Sequence, residues 1–231
     1  TNEILTLAVE IGDSMLRNGA EIYRVEDTVV HILKSYEVKE FDVYVISNGI
    51  FASANENQED ACSIVRHVPL GSVNLGKISA LNQLARDICE HKISLIDSWK
   101  ELERCQNLPN YPNSLLVFFC GLGSAGFCYL FGGSALDSLF TFGIGILEQL
   151  LLFALKKYKF SKIITNIFAS LFVTLLAMLC MLTNLNLLQD KIIIGAIMPL
   201  VPGIAFTTAI RDIYNADYLS GTIHLLDALI T

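Results

Sequence analysis

The chain is poor in the residues that most enzyme chemistries draw on. It has four histidines, one tryptophan and six cysteines in 231 residues. The cysteines stand at 62, 89, 105, 120, 128 and 180, with no CxxC pair and no metal-type spacing. A zinc ribbon or a dithiol redox centre is therefore excluded, and no metal or cofactor is expected. All six read as free thiols, which suits a reducing compartment. There is no P-loop, no GxSxG and no HExxH, so ATP-driven transport and the common hydrolase machineries have no support. Basic charge is scarce as well. Lys and Arg number 16 against 23 Asp and Glu, a net charge of −7, and nucleic acid is not expected as a partner. The opening residues carry no basic n-region, so no signal peptide is expected.

What the chain has in quantity is apolar side chains, 53% of the total, unevenly placed. Residues 1–110 hold 10 Lys+Arg and 17 Asp+Glu, whereas residues 111–231 hold 6 of each in a far more apolar background. That shift predicts a part folded in water followed by a part folded in lipid. Apolar residues recur at helical spacing over 2–17 and again over 20–36, with Asn18-Gly19 as the break. FDVYVISNGIFASA (41–54) predicts two strands joined by a tight turn at Asn48-Gly49, and ACSIVRHVP (61–69) a third. Helical spacing returns over 74–91 and 93–106. Residues 1–106 thus predict an α+β domain of three antiparallel strands and four helices. NLPNYPNS (107–114) predicts a linker. Residues 115–231 predict an α-helical polytopic membrane domain.

Four spans are expected at about 115–135, 138–156, 163–184 and 191–210, each near the ~20 residues that cross a bilayer. A further apolar segment from Tyr218 to Thr231 is short for a span, and is expected to be part of a fifth helix. The loop KKYKFSK carries Lys156, Lys157, Lys159 and Lys162, which places it in the cytoplasm by the positive-inside rule. Counting back puts the N-terminal domain in the cytoplasm too, on a multi-pass protein of the plasma (inner) membrane. The first span is dense in small residues, Gly121, Gly123, Ser124, Ala125, Gly126, Gly132 and Gly133, which serve close helix packing or line a pore.

Charged groups inside spans mark function, because lipid penalises them. Glu148 lies mid-span with no nearby Lys or Arg in that span. It reads as a proton-coupling carboxylate, a polar-substrate contact, or a neutral acid hydrogen-bonded to a neighbour. The stretch IMPLVPGIAFTTAIRD (197–212) carries the stronger signal. Pro199 and Pro202 each remove a backbone donor, and Gly203 is free to adopt angles closed to other residues. A break at 199–203 is expected, and a broken span persists only where protein or water receives the freed groups. Transporters use such breaks as midplane sites. A half-helix starting near Ile204 would favour an anion at its N-terminus, with Thr207 and Thr208 one turn on. Arg211 and Asp212 end that half-helix in a polar cavity or at the cytoplasmic interface. His224 and Asp227, three apart, share a face and are further proton-coupling candidates.

The stretches LRNGAEIYRVEDTV (16–29), NGIFAS (48–53) and PGIAFTTAIRDIYNADYLSG (202–221) resemble the threonine/serine exporter family. The chain is similar to its short form, a cytosolic domain plus about five spans. The resemblance implies a secondary exporter for small amino acids such as threonine and serine, or for dicarboxylates such as succinate. It also implies a second, smaller membrane subunit as partner; self-association stays open. It carries function onto Gly19, Glu21, Tyr23, Arg24, Glu26 and Asp27 in the first motif. In the last it points to Pro202, Gly203, Thr207, Arg211, Asp212, Asp217, Ser220 and Gly221. Two positions depart from the family pattern: Thr208 stands where Asn is expected, and Ala216 where Gly is expected. Both replacements are small, so the backbone path is expected to survive.

Three functions follow as alternatives. The first is a subunit of a proton-coupled exporter, with no catalytic residues, in which Arg211 holds a substrate carboxylate and Glu148 or Asp212 takes the proton. The second is a membrane-anchored enzyme or sensor acting through residues 1–106. The third is an assembly subunit whose partner alone forms the path.

Overall fold

The computed structural model describes residues 2–55, 61–69, 71, 73–158, 160–183 and 185–230. Lys159 of the basic loop, Asn184 at the end of the third expected span, and Thr231 lie outside the described residues. The chain divides into two compact units. One comprises residues 1–110 together with 208–224, the other residues 111–207 together with 225–231.

The first unit is an α+β fold. Its elements are α1 (Asn2–Arg17), α2 (Ile22–Ser35), β1 (Glu40–Ile46), β2 (Gly49–Asn55), β3 (Ala61–His67), α3 (Leu75–Cys89) and α4 (Leu95–Gln106). The strands form one antiparallel sheet in the order β1-β2-β3, with Val45 opposite Ile50 and Ala52 opposite Ile64. Alternation in β2 sends Ile50, Ala52 and Ala54 into the core and leaves Phe51 exposed, the period-2 pattern of a half-buried strand. The helical stripe of α2, Val25, Val29, Ile32 and Leu33, is fully buried. Each such side chain contributes about 1.5–3 kcal/mol relative to exposure, against the entropy of ordering it. α1 is buried nearly all round, because α2, α3, α4, β2 and β3 all pack against it. At Gly12 an added Cβ would lie 2.9 Å from Val29 Cγ2, so α1 and α2 are in close contact there.

Several helix ends in this chain share one device. After α1 the amide of Gly19 donates to Leu16 O (3.0 Å) and that of Ala20 to Met15 O (3.0 Å). Gly19 takes the left-handed φ of +79° that this Schellman closure requires. The same pair of bonds ends α2 at Glu37, α3 at His91 and the first membrane helix at Gly132, with φ of +57°, +53° and +90°.

The second unit is helical. It contains α5 (Asn113–Leu130), α6 (Ala135–Lys156), α7 (Lys162–Met181) and α8 (Gln189–Ile197). A single 3-10 turn, Met198–Leu200, follows α8. α9 (Gly203–Tyr214) and α10 (Tyr218–Ile230) are divided between the units, their residues 208–224 belonging to the first. α5, α6 and α7 are each long and apolar enough to cross a membrane, and α8 with α9 forms an apolar pair bent by 60°, the geometry of a broken span or a re-entrant loop. Large apolar side chains such as Phe118, Leu139, Ile167, Leu171 and Leu175 point outward. Many of the packed positions are small, among them Gly121, Ser124, Gly145, Ala169, Ala177, Gly195 and Ala196. That inversion is what lipid demands, since helices gain by close approach and not by hiding leucine from water. An added Cβ at Gly195 would lie 2.8 Å from Cys128 N. Of the small residues in the first span, Gly121, Ser124 and Gly133 serve packing, Gly132 closes the helix, and Gly123 and Gly126 face open space. The expected class, a polytopic helical protein with an N-terminal α+β domain, is the one observed.

Candidate functional site

In the first unit the two motif segments come together. Glu21 is the N-cap residue of α2, with an extended backbone. Its Oε1 forms an ion pair with Arg211 of α9, and its Oε2 lies 3.0 Å from Arg24 Nε. One carboxylate thus bridges two guanidinium groups from opposite ends of the sequence. Arg24 Nε also donates to the Tyr23 hydroxyl (3.1 Å), with its guanidinium 5.9 Å from the Tyr23 ring centre. Arg211 therefore has a protein partner on α2, and an anion reaching it must compete with Glu21.

Next to Arg211, Asp212 is buried. Its Oδ2 lies 2.8 Å from Nδ1 of His224 on α10. The two candidates expected separately as proton carriers form one pair, with Asp212 buried and His224 partly exposed. Asp227, expected on the same face as His224, instead pairs with Lys162 Nζ at 3.3 Å. Between α9 and α10 the chain makes another Schellman closure, with Ala216 N donating to Ile213 O (3.1 Å) and Asp217 N to Asp212 O (2.9 Å). Here the left-handed position, φ +65°, is held by Ala216, where the resemblance led glycine to be expected. Asp217 Oδ1 then accepts from Ser220 N (3.2 Å) at the start of α10. Gly221 is where α10 meets α9: an added Cβ would lie 3.0 Å from Ile213 N and 3.1 Å from Ala209 O.

These elements leave an open cleft of about 590 Å³ lined by Tyr23, Glu26 and Asp27 of α2, Tyr44 of β1, and Asn215 and Asp217 of the α9–α10 turn. Three carboxylates and two phenol rings face it, and among the described lining residues there is no lysine or arginine. Asp27 shares its carboxylate with His31 (Nδ1 to Oδ1, 3.1 Å). The chemistry of this wall is complementary to a cation, through charge and through the faces of aromatic rings. Among the described residues no group of three or more His, Cys, Asp and Glu side chains is placed to hold a metal ion.

The second unit holds the broken span. Pro199 sits inside the 3-10 turn, Val201 is extended, and Gly203 starts α9. The break is made by the prolines. Gly203 is not among the glycines with positive φ, and a Cβ added to it meets nothing within 4 Å, so its conformational freedom is not used. The Thr207 hydroxyl donates back to Gly203 O (3.0 Å) and Ile204 O (2.9 Å), which occupies its proton within the helix. Thr208 lies next to it on α9. Glu148 of α6 is fully buried, and neither of its carboxyl oxygens has a hydrogen-bond partner.

A family model described as threonine/serine exporter matches residues 6–231. The chain belongs to the threonine/serine exporter family. No curated protein and no solved structure matches it. As a member of that exporter family, with several helices apolar enough to cross a membrane, it is a membrane transport protein.

Several residues that line the cleft were not marked in the sequence. Tyr44 and Asn215 enter the cleft only through the fold. Asp137 was readable: SALD (134–137) is a Ser-x-x-Asp capping box, and the structure has both of its reciprocal bonds. Asp137 Oδ1 also accepts from Leu188 N (2.9 Å), tying the approach to α8 onto the start of α6.

Proposed function

We propose that this exporter chain carries a small amino acid recognised by its ammonium group, in exchange for protons, from the cytoplasm across the plasma membrane. The observation that carries the reading is the cleft between the two family motifs, with Glu26, Asp27 and Asp217 on its walls and no lysine or arginine among its described lining residues. A dicarboxylate gains nothing from that wall. Arg211, the cation expected to hold a substrate carboxylate, is engaged by Glu21, so its free energy for an anion is reduced by the loss of that pair. Amino acids of the threonine and serine class fit an acidic, hydroxyl-bearing cleft better than succinate does. The bent pair α8–α9 supports a transport path, because a broken span is tolerated where a polar path or protein receives its backbone. The lysines at 156, 157 and 162 favour a cytoplasmic α6–α7 turn. A second membrane subunit completes the path in this reading.

The test is equilibrium binding to the purified full chain. Threonine and serine are expected to stabilise it, whereas the matching hydroxy acid without the amine, and succinate, are not. Tighter binding of succinate than of either amino acid would refute the reading and favour the dicarboxylate alternative.

A further inference from the structure

Four side chains of the second unit are polar and show no exposed surface: Ser124 of α5, and Asp137, Thr141 and Glu148 of α6. They lie on one seam. Steps of four and seven residues keep 137, 141 and 148 on one face of α6. Ser124 joins them from α5, because a Cβ added at Gly145, one turn before Glu148, would lie 2.6 Å from Ser124 Oγ and 3.0 Å from Gly121 Cα. The two backbones are nearly in contact there, and the seam is closed to lipid.

Three of the four groups have partners. Asp137 Oδ2 accepts from Ser134 N and Oγ, both at 2.8 Å, and its Oδ1 from Leu188 N. The Thr141 hydroxyl donates to Asp137 O (2.8 Å) and the Ser124 hydroxyl to Cys120 O (3.0 Å), so each keeps lone pairs free to accept. Glu148 has none on either oxygen. An unpartnered carboxyl in a low-dielectric interior is costly unless something outside the fold completes it. The polar groups run in one direction only. From Glu148 toward Lys156 the buried face of α6 carries no further polar side chain among the described residues, whereas toward the helix start it carries Thr141 and Asp137. Glu148 stands eleven residues after Asp137, roughly 16 Å along the axis, about half the ~30 Å hydrocarbon core.

We propose that Glu148 is a proton-binding site loaded along Asp137, Thr141 and Ser124 from the side of the membrane on which α6 begins, opposite the lysines of the α6–α7 turn. This rests on the proton-exchange reading above and adds a carrier, a route and a side. A proton from water on that side is passed to a Glu148 oxygen, the hydroxyl lone pairs of Thr141 and Ser124 accepting it on the way. It leaves to water on the lysine side when substrate moves outward, so no other reactant is needed. The titratable groups that face the seam are few. α5 brings Cys120 and Cys128; the buried positions of α7 (Ala169, Val173, Ala177) and of α8 (Ile192, Gly195, Ala196) bring none. Asp190 and Lys191 sit at the start of α8, paired with each other.

The experiment uses the full chain in vesicles of known orientation and a membrane-permeant carbodiimide. The reagent adds to a protonated carboxyl to give an N-acylurea, the carboxyl proton passing to a carbodiimide nitrogen. Modification is read by peptide mass. With no substrate present, acidifying only the side of the α5–α6 turn is expected to raise modification of Glu148 severalfold, and acidifying only the lysine side is expected to leave it unchanged. Thr141→Val, which leaves the Ser134–Asp137 cap intact, is expected to slow the response in protein that still elutes as a folded species. No modification of Glu148, a response to the lysine side, or full response in Thr141→Val overturns the proposal. Sided modification without any effect of a proton gradient on amino-acid flux supports the site and refutes the exchange reading, so the two are separable.

Discussion

Ala216 occupies a left-handed position that glycine adopts without strain. It closes the helix end between α9 and α10 at φ +65°, with both Schellman bonds in place. A side chain in the left-handed region costs roughly 1–2 kcal/mol. Glycine removes that strain, offset by about 0.5–1 kcal/mol for its freer unfolded chain. Ala216→Gly is therefore expected to stabilise the first unit by about 1 kcal/mol, or roughly 2–4 °C in its melting transition. Hydrogen exchange gives the local reading: the amides of Ala216 and Asp217, which make the two closing bonds, should exchange more slowly in the variant. Gly19→Ala supplies the opposite sign at the same type of position. There φ is +79° and an added Cβ would lie 2.8 Å from Val73 Cγ2 and 3.1 Å from Val73 Cα, so strain and overpacking both act. A loss of about 2 kcal/mol or more is expected. If Ala216→Gly lowers the melting point or speeds exchange at those two amides, the strain argument fails.

Other substitutions probe the helical unit and the thiols. Gly195→Ala is expected to cost about 1–3 kcal/mol by forcing α8 off Cys128, while Gly123→Ala, whose Cβ meets nothing within 4 Å, is expected to be neutral; melting in detergent reads both. Thr207→Val is expected to leave amino-acid flux near the parent rate, since that hydroxyl already donates to Gly203 O and Ile204 O; a large drop in flux would place it on substrate. Burial pushes the Cys89 and Cys105 thiols up from their ordinary range, so less thiolate is present at neutral pH. Alkylation of these two in the folded chain is expected to be slow at neutral pH and to accelerate only in alkali; fast neutral labelling would contradict the burial.

Much of the fold was legible because it is local. The apolar stripe of α2 repeats every three or four residues, Asn48-Gly49 sits between two runs with Val, Ile, Tyr and Phe, and Pro199 and Pro202 interrupt an apolar stretch. These are properties of neighbours in sequence, and the helices, the sheet and the broken span followed from them. Pairings between distant segments carry no such signature. Nothing near Glu21 marks Arg211 as its partner, and nothing in the spacing of Asp212 and His224 tells that a turn at Ala216 folds one back on the other. Gly203 shows the opposite error. Its freedom of backbone angle was an available explanation for the break, but the prolines alone supply the geometry. The candidate site is similarly divided: its residue types were readable from the motifs, while the cleft that joins Tyr23, Glu26 and Asp27 to Asn215 and Asp217 required the fold.

The central claim is that an acidic cleft on an exporter selects an amine-bearing substrate. It is tested most directly by counterflow in proteoliposomes containing this chain, alone and with its second membrane subunit, using labelled threonine, serine and succinate in parallel. The account predicts uptake of threonine or serine that collapses in the double variant Glu26→Gln, Asp217→Asn, with little uptake of succinate. Succinate exchange that exceeds both amino acids and survives the double variant would contradict it.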